Sequence, residues 1–150
     1  YKRLVPGYEA PVYVCWGRTN RSAMIRVPEV HGKKATRVEL RCPDASSNPY
    51  FVFSAMLAAG LDGIAAKEKP PAAVEENVYH FDEEKLQKFY VQTLPASLGE
   101  AMAETRKSEL VKKALGEHAF GKHLAAQERQ WNDFRLHVTD WEIKTYLPRL

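Results

Sequence analysis

Three short stretches near the start of the chain carry the apolar/polar pattern of β-strands. Val12 to Trp16 is β-branched and aromatic, Ala23 to Val27 alternates less cleanly, and Arg37 to Cys42 alternates strictly. Asn48-Pro49 then predicts a helix start, with Asn as N-cap and Pro at the first helical position. Phe51, Ala55, Ala58 and Ala59 fall on one stripe of that helix, and Phe53, Met56, Leu57 and Leu61 on another. A helix that is apolar nearly all round is expected in a core.

Residues 65–82 break the pattern with Pro70-Pro71, Ala-rich sequence and Glu75-Glu76, and read as a surface excursion. Helical sequence follows from residue 83 to the end. Ser97 with Glu100 and Thr139 with Glu142 each have the spacing of a capping box. Between them, Glu117 to Val138 is a long polar helix with Phe120, Leu124, Trp131, Phe134 and Val138 as apolar contacts. Strands first and helices afterwards predict an α+β fold, with the strands in an antiparallel sheet. The organisation expected is strands and core helix over 1–64, the excursion over 65–82, and a helical region over 83–150.

Composition adds a bound and then a direction. The chain has 150 residues, enough for one domain with a core. It reads as an ordinary soluble globular chain, without the ~18 uninterrupted apolar residues of a membrane span or an apolar leader segment. Tyr1 is followed at once by charged, motif-like sequence, so the chain reads as the C-terminal part of a longer protein. Cys15 and Cys42 form neither a CxxC pair nor a disulfide framework and are expected to be buried thiols. The net charge is +3, but it is unevenly spread. Residues 1–41 hold nine basic and three acidic side chains, six of the nine being Arg, and the remainder of the chain is net acidic. The arginine fork suits phosphate and carboxylate, so an anion-binding surface is expected.

Three groups of residues could form that surface. In Arg37-Val38-Glu39-Leu40-Arg41, strand alternation puts Arg37, Glu39 and Arg41 on one face and Val38 and Leu40 towards the core. Each Arg–Glu attraction, at about 7 Å, exceeds the Arg37–Arg41 repulsion at about 13 Å, so Glu39 is expected to stay ionised. Such a carboxylate either holds Mg2+ or Mn2+ against a phosphate or belongs to a solvated charge ladder. Arg18, Arg21 and Arg26 add uncompensated charge, and a hairpin through Thr19-Asn20 would bring Arg18 or Arg21 towards Arg26. Such a cluster favours a nucleotide phosphate or nucleic acid; aromatic residues for single-stranded nucleic acid are sparse, with only Trp16 nearby. Finally, Val5-Pro6-Gly7-Tyr8-Glu9-Ala10-Pro11 is a stiff loop presenting one carboxylate, Glu9. Walker A, GxGxxG and HExxH sequences are absent, and His118 and His123 are spaced off a common helical face.

Taken in order, Tyr1 to Pro11, Asn20-Arg21-Ser22, Arg37 to Arg41, Pro43-Asp44 and Asn48-Pro49-Tyr50 resemble the bacterial and archaeal type of glutamine synthetase. The resemblance is dense over residues 1–64 and looser afterwards. It implies an ATP-dependent ligation in which the γ-carboxylate of glutamate is phosphorylated and ammonia then displaces phosphate. It further implies that Arg3, Glu9 and Arg41 contact glutamate, that Glu9 helps deprotonate ammonium, and that Arg21 stabilises the phosphoryl group in transfer. Arg26 and Arg37, with Arg21, would contact the nucleotide, and Glu39 would ligate Mg2+ or Mn2+. The strands would belong to the half-barrel of the catalytic domain, with the N-terminal domain lying outside this chain. The family resemblance also implies a cytoplasmic dodecamer of two stacked hexamers, gripped through Trp141, Ile143, Tyr146 and Leu147, and no nucleic-acid or membrane partner.

Two departures qualify the likeness. Asn77-Val78-Tyr79-His80-Phe81-Asp82 keeps the tyrosine that one subgroup adenylylates but loses its surroundings, so Tyr79 is expected to stay unmodified. The other metal carboxylates and the glutamate-binding loop of the family do not occur here, so the isolated chain is expected to be inactive. Competing expectations are a glutamate–amine (polyamine) ligase of the same superfamily, a non-catalytic assembly relative, and a nucleic-acid module using the basic stretch.

Overall fold

The computed structural model describes residues 3–8, 10–29, 32 and 36–149. Four strands, β1 (Tyr13–Gly17), β2 (Ala23–Arg26), β3 (Glu39–Leu40) and β4 (Gln92–Thr93), form one sheet in the order β3-β2-β1-β4. Among the described residues six α-helices accompany it: α1 (Pro49–Ala65), α2 (Glu83–Lys88), α3 (Leu98–Lys107), α4 (Glu109–Leu115), α5 (Glu117–Leu136) and α6 (Asp140–Tyr146). The α+β class expected from the order of elements is the one observed.

The sheet is mixed, and its mixture matters for the site. β1 pairs antiparallel with β4, and β2 antiparallel with β3. The central pair β1–β2 is parallel, with Tyr13 beside Ala23 and Gly17 beside Arg26. The Thr19-Asn20 hairpin is therefore not formed. Residues 18–22 instead run back along the sheet, about 13 Å at the usual strand rise, to start β2 beside the start of β1. Parallel neighbours ordinarily need a crossover of a dozen or more residues. Here five residues make the return.

Local chemistry sets the helix starts. The Asn48 side chain accepts from the backbone N–H of Tyr50 and Phe51, with Pro49 opening α1. Ser97 caps α3 through the N–H of Glu100. At α6, Thr139 and Glu142 make a complete capping box: Thr139 Oγ1 accepts from Glu142 N–H and the Glu142 carboxylate accepts from Thr139 N–H. Gly116, at φ 75°, separates α4 from α5 in a backbone conformation that favours glycine.

The core sits where the first two strands meet the excursion. Val12, Tyr13, Cys15 and Ala23 are buried together with Val74 and Val78. Phe81 and Phe89 pack against this cluster with their ring centroids 5.4 Å apart. Residues 74–78 are thus not a surface excursion. Val74 N–H donates to Trp16 O at 2.8 Å, and the Trp16 indole N–H donates to Pro71 O at 2.8 Å, drawing the segment onto β1.

Two further expectations are corrected. α1 is not enclosed: one side packs on α4, with Phe51 edge-on to His123 of α5 at 5.2 Å. Tyr50, Phe53, Leu57, Leu61 and Ile64 on the other side are exposed, since no described element covers them. β3 spans only Glu39–Leu40, and Val38 is 66% exposed instead of facing the core.

Two outcomes are expected from this packing. A Cβ at Gly17 would lie 2.6 Å from Val74 O, a backbone atom that cannot step aside. Gly17→Ala should therefore lower stability by about 1–3 kcal/mol in denaturant unfolding; an unchanged midpoint would show that the segment is loosely held. The hydrogen bond from Thr139 N–H, foremost among its partners, holds the Glu142 carboxyl below the usual carboxylate range. Because that pKa is lowered on folding, the capping contribution is complete above the unfolded value, about 4.3, and is lost as pH falls through the folded value. The protection factors of the α6 amides, taken against intrinsic exchange at each pH, should fall on acidification below that range, and Glu142→Gln should weaken the response.

Candidate active site

Beside β1 and the return loop lies an open cleft of about 900 Å³. Three arginines from separate segments reach it: Arg3 from the start of the described chain, Arg21 from the 18–22 loop, and Arg41 from the end of β3. Tyr79 lines its far side, its ring tilted against Tyr13 at 6.1 Å. Three guanidinium groups around one concavity form a site for a multiply charged anion.

How Arg21 reaches the cleft follows from its neighbours. Asn20 and Ser22, on either side of it, are the two buried polar residues among those described, at 6% and 3% exposure. The Asn20 amide nitrogen donates to Val74 O and to Glu76 O, each at 2.7 Å. Its carbonyl accepts from Ser22 N–H at 2.9 Å and from the Ser22 hydroxyl at 2.6 Å. Ser22 Oγ in turn accepts from Val78 N–H at 2.9 Å. Both faces of the buried amide are used, so the loop is tied to residues 74–78 without an unsatisfied polar group at Asn20 or Ser22.

Arg3 and Arg41 are held through main-chain oxygens. Arg3 donates to Cys42 O at 3.0 Å and to Arg41 O at 3.3 Å, bracing the end of β3. Arg41 donates from Nη1 to Ala23 O at 3.3 Å, across to β2. Each bond engages only part of a guanidinium fork that carries five N–H donors.

Glu39 forms a second centre with Arg26 and Arg37 and lies outside the residues lining the cleft. Arg37 donates from Nε to Oε1 at 2.9 Å, and its Nη2 lies 2.8 Å from the same oxygen. Arg26 Nε lies 3.0 Å from Oε2, and its Nη2 donates to Oε1 at 3.3 Å. The antiparallel register that sets Arg26 opposite Glu39 brings the pair together. Desolvation pushes the Glu39 pKa up, but the Arg37 hydrogen bond and the charges of Arg26 and Arg37 together outweigh it, and the carboxyl is held below its usual value. The expectation that Glu39 is ionised between cations is met, with Arg26 in the place assigned to Arg41.

The described residues thus form two groups: Arg3, Arg21 and Arg41 at the cleft, and Arg26, Arg37 and Glu39 on β2 and β3. Glu9, the carboxylate expected on the stiff loop, lies outside the described residues. For Mg2+ or Mn2+, Glu39 offers one carboxylate already engaged by two arginines. No group of three or more metal-ligating side chains occurs among the described residues. A hard cation that takes six oxygen ligands is not held by this set alone. Cys15 and Cys42 are free thiols, and burial pushes both pKa values up, which keeps them protonated and unreactive. Among the described residues no helix is long and apolar enough to cross a membrane.

Sequence reasoning missed the tie between the Arg21 loop and residues 74–78. Asn20-Arg21-Ser22 was legible as a motif, but the burial of Asn20 and Ser22 depends on a partner some 55 positions away. Val74 and Val78, four apart in polar surroundings, were the one local sign of it.

Comparisons with known proteins converge on one family. The family model for the glutamine synthetase catalytic domain matches residues 1–146. The chain is 54% identical over 147 residues to a glutamine synthetase of Thermotoga maritima, covering 98% of this chain and 33% of that protein. It is 49% identical over 147 residues to that of Methanocaldococcus jannaschii, again over 98% of this chain and 32% of the relative. The chain therefore spans about a third of the length of the curated relatives it matches. Among solved structures, the GmaS/ADP complex superposes with a TM-score of 0.79 at 31% identity, over 93% of this chain and 30% of that one. A glutamine synthetase of Plasmodium falciparum superposes with a TM-score of 0.76 over 97% of this chain and 36% of that one; at 21% identity it supports the fold alone. The chain belongs to the glutamine synthetase catalytic-domain family.

Proposed function

We propose that the whole protein ligates ammonia to the γ-carboxylate of L-glutamate, using ATP and passing through γ-glutamyl phosphate. A carboxylate oxygen attacks the γ-phosphorus and ADP leaves; ammonia then attacks the acyl carbon and phosphate leaves. The observation that carries this reading is the convergence of Arg3, Arg21 and Arg41 on one cleft, with Arg21 seated between two buried, fully bonded polar groups. Backbone anchored on both sides of Arg21 suits a residue that meets a transferring phosphoryl group, because its place at the cleft is set before charge develops. Family membership and the likeness to a GmaS/ADP complex support the nucleotide as co-substrate.

In this reading Arg3 and Arg41 hold the glutamate carboxylates and Arg21 steadies the phosphoryl group in transfer. Arg26 and Arg37 face the nucleotide phosphates while bracing Glu39, and Glu9 receives a proton from ammonium. Glu39 would supply one ligand to Mg2+ or Mn2+, the other ligands coming from outside the described residues. Because the described residues complete only the arginine half of such a site, the 150-residue chain alone is proposed to be inactive. The exposed stripe of α1 would be covered by the rest of the catalytic domain, since an apolar face of this length is seldom left in water. Trp141, Ile143, Tyr146 and Leu147, exposed on and after α6, would serve the contact between stacked rings of a cytoplasmic dodecamer.

The full-length protein is expected to form glutamine from glutamate, ammonium and ATP, whereas residues 1–150 alone form none. Preference for putrescine over ammonium would instead support an amine ligase. Arg21→Ala in the full-length protein should lower kcat by ~100-fold or more with little change in KM for ATP. Equal kcat would remove Arg21 from the chemistry. Trp141→Asp should shift the sedimenting species to lower mass, and an unchanged assembly would move the ring contact elsewhere.

A further inference from the structure

The return loop carries a second restraint that the roles above do not use. Its first two backbone N–H groups, at Arg18 and Thr19, point at one carboxylate. Glu75 Oε1 accepts from Arg18 N–H at 2.8 Å, and Oε2 accepts from Thr19 N–H at 3.1 Å and from the Thr19 hydroxyl at 3.2 Å. The same residue borders the cleft that Arg21 enters. We propose that Glu75 is a positioning residue for Arg21: it pins the incoming half of the return loop while Asn20 and Ser22 pin the outgoing half. The inference rests on the ligase reading, in which Arg21 meets the phosphoryl group.

Geometry makes the restraint consequential. Five residues must double back between parallel strands, so nearly every N–H in the loop loses its chance of a strand partner. A carboxylate that accepts two successive N–H groups fixes the direction of the chain before Asn20. Gly17, just ahead, has no side chain because the 74–75 segment lies against it: a Cβ there would be 3.5 Å from Glu75 Oε2 and 2.6 Å from Val74 O. The segment 74–76 therefore contacts the loop at Gly17, Arg18, Thr19 and Asn20 in succession. Displacing it would move Arg21 without touching either substrate. The hydrogen bond from Arg18 N–H, the largest influence on it, holds the Glu75 carboxyl below the usual range, so it is ionised and accepting at neutral pH.

The test uses the full-length protein. Glu75 is exposed, so Glu75→Ala should fold; Glu75→Gln, of equal size, carries the same comparison should it not. Glu75→Ala is expected to lower kcat by ~10-fold or more, with KM for ATP and glutamate within about 2-fold of wild type, because orientation is lost and binding is not. Glu75→Gln, which keeps one accepting oxygen, should show a smaller fall. In an Arg21→Ala background the Glu75→Ala loss should disappear, since the residue acts through Arg21. Amide exchange at Arg18 and Thr19 should accelerate in Glu75→Ala. A folded variant with wild-type kcat, losses that multiply in the double variant, or unchanged exchange would each overturn the inference. Absence of ATP-dependent glutamine formation by the wild type would overturn the ligase reading, and the exchange data would still decide whether Glu75 pins the loop.

Discussion

The arrangement of the cleft depends on one buried amide. Parallel pairing of β1 and β2 requires residues 18–22 to return along the sheet in five residues. A loop this short, without a strand partner, has few backbone partners of its own. Asn20, itself buried, resolves this by donating to two carbonyls of the 74–76 segment and accepting from Ser22. An unpaired buried amide would cost about 1–3 kcal/mol for each missing bond, so the tie is made completely or the loop does not sit there. Arg21 projects from the middle of this tie.

From that constraint the rest of the site follows in order. The 74–78 segment is drawn into the core by Val74 and Val78, which carries Tyr79 to the edge of the cleft. β2, once started beside β1, sets Arg26 opposite Glu39 and lets Arg41 bond back to Ala23. Arg3 then closes on the carbonyls of Arg41 and Cys42. Positive charge from several segments is thereby concentrated, with the guanidinium groups of Arg3 and Arg41 oriented by carbonyls and those of Arg26 and Arg37 by the Glu39 carboxylate, while Arg21 is anchored through its backbone neighbours. Such preorganisation is what the proposed ligase reading asks of its cationic residues.

Features fixed by local chemistry were legible in the sequence. Asn48, Ser97 and Thr139 were readable as caps because capping needs only residues two or three positions away. The acid–base pattern around Glu39 was readable because opposite charges on a strand face attract whatever surrounds them, although cross-strand pairing brought in Arg26 where alternation named Arg41. Pairing direction was not legible: a short polar link ordinarily means a hairpin, and nothing within 18–22 signals that its bonds go to residues 74–78. Burial of Val74 was hidden by the prolines, alanines and glutamates around it. The all-round apolarity of α1 predicts a core helix, but periodicity does not say which side is covered; the described residues cover the side of Phe51 and leave that of Phe53 exposed.

The central claim is that the amide of Asn20 fixes the Arg21 loop to the 74–78 segment. Asn20→Asp in the full-length protein tests it most directly, because the change keeps the shape and the acceptor for Ser22 while turning the two donated bonds into a carboxylate facing two carbonyls. Amide exchange at Val74 and Val78, together with the unfolding midpoint at neutral pH, reads the result. Faster exchange at both positions and a loss of more than ~2 kcal/mol of stability are expected. Wild-type protection and stability in that variant would contradict the claim.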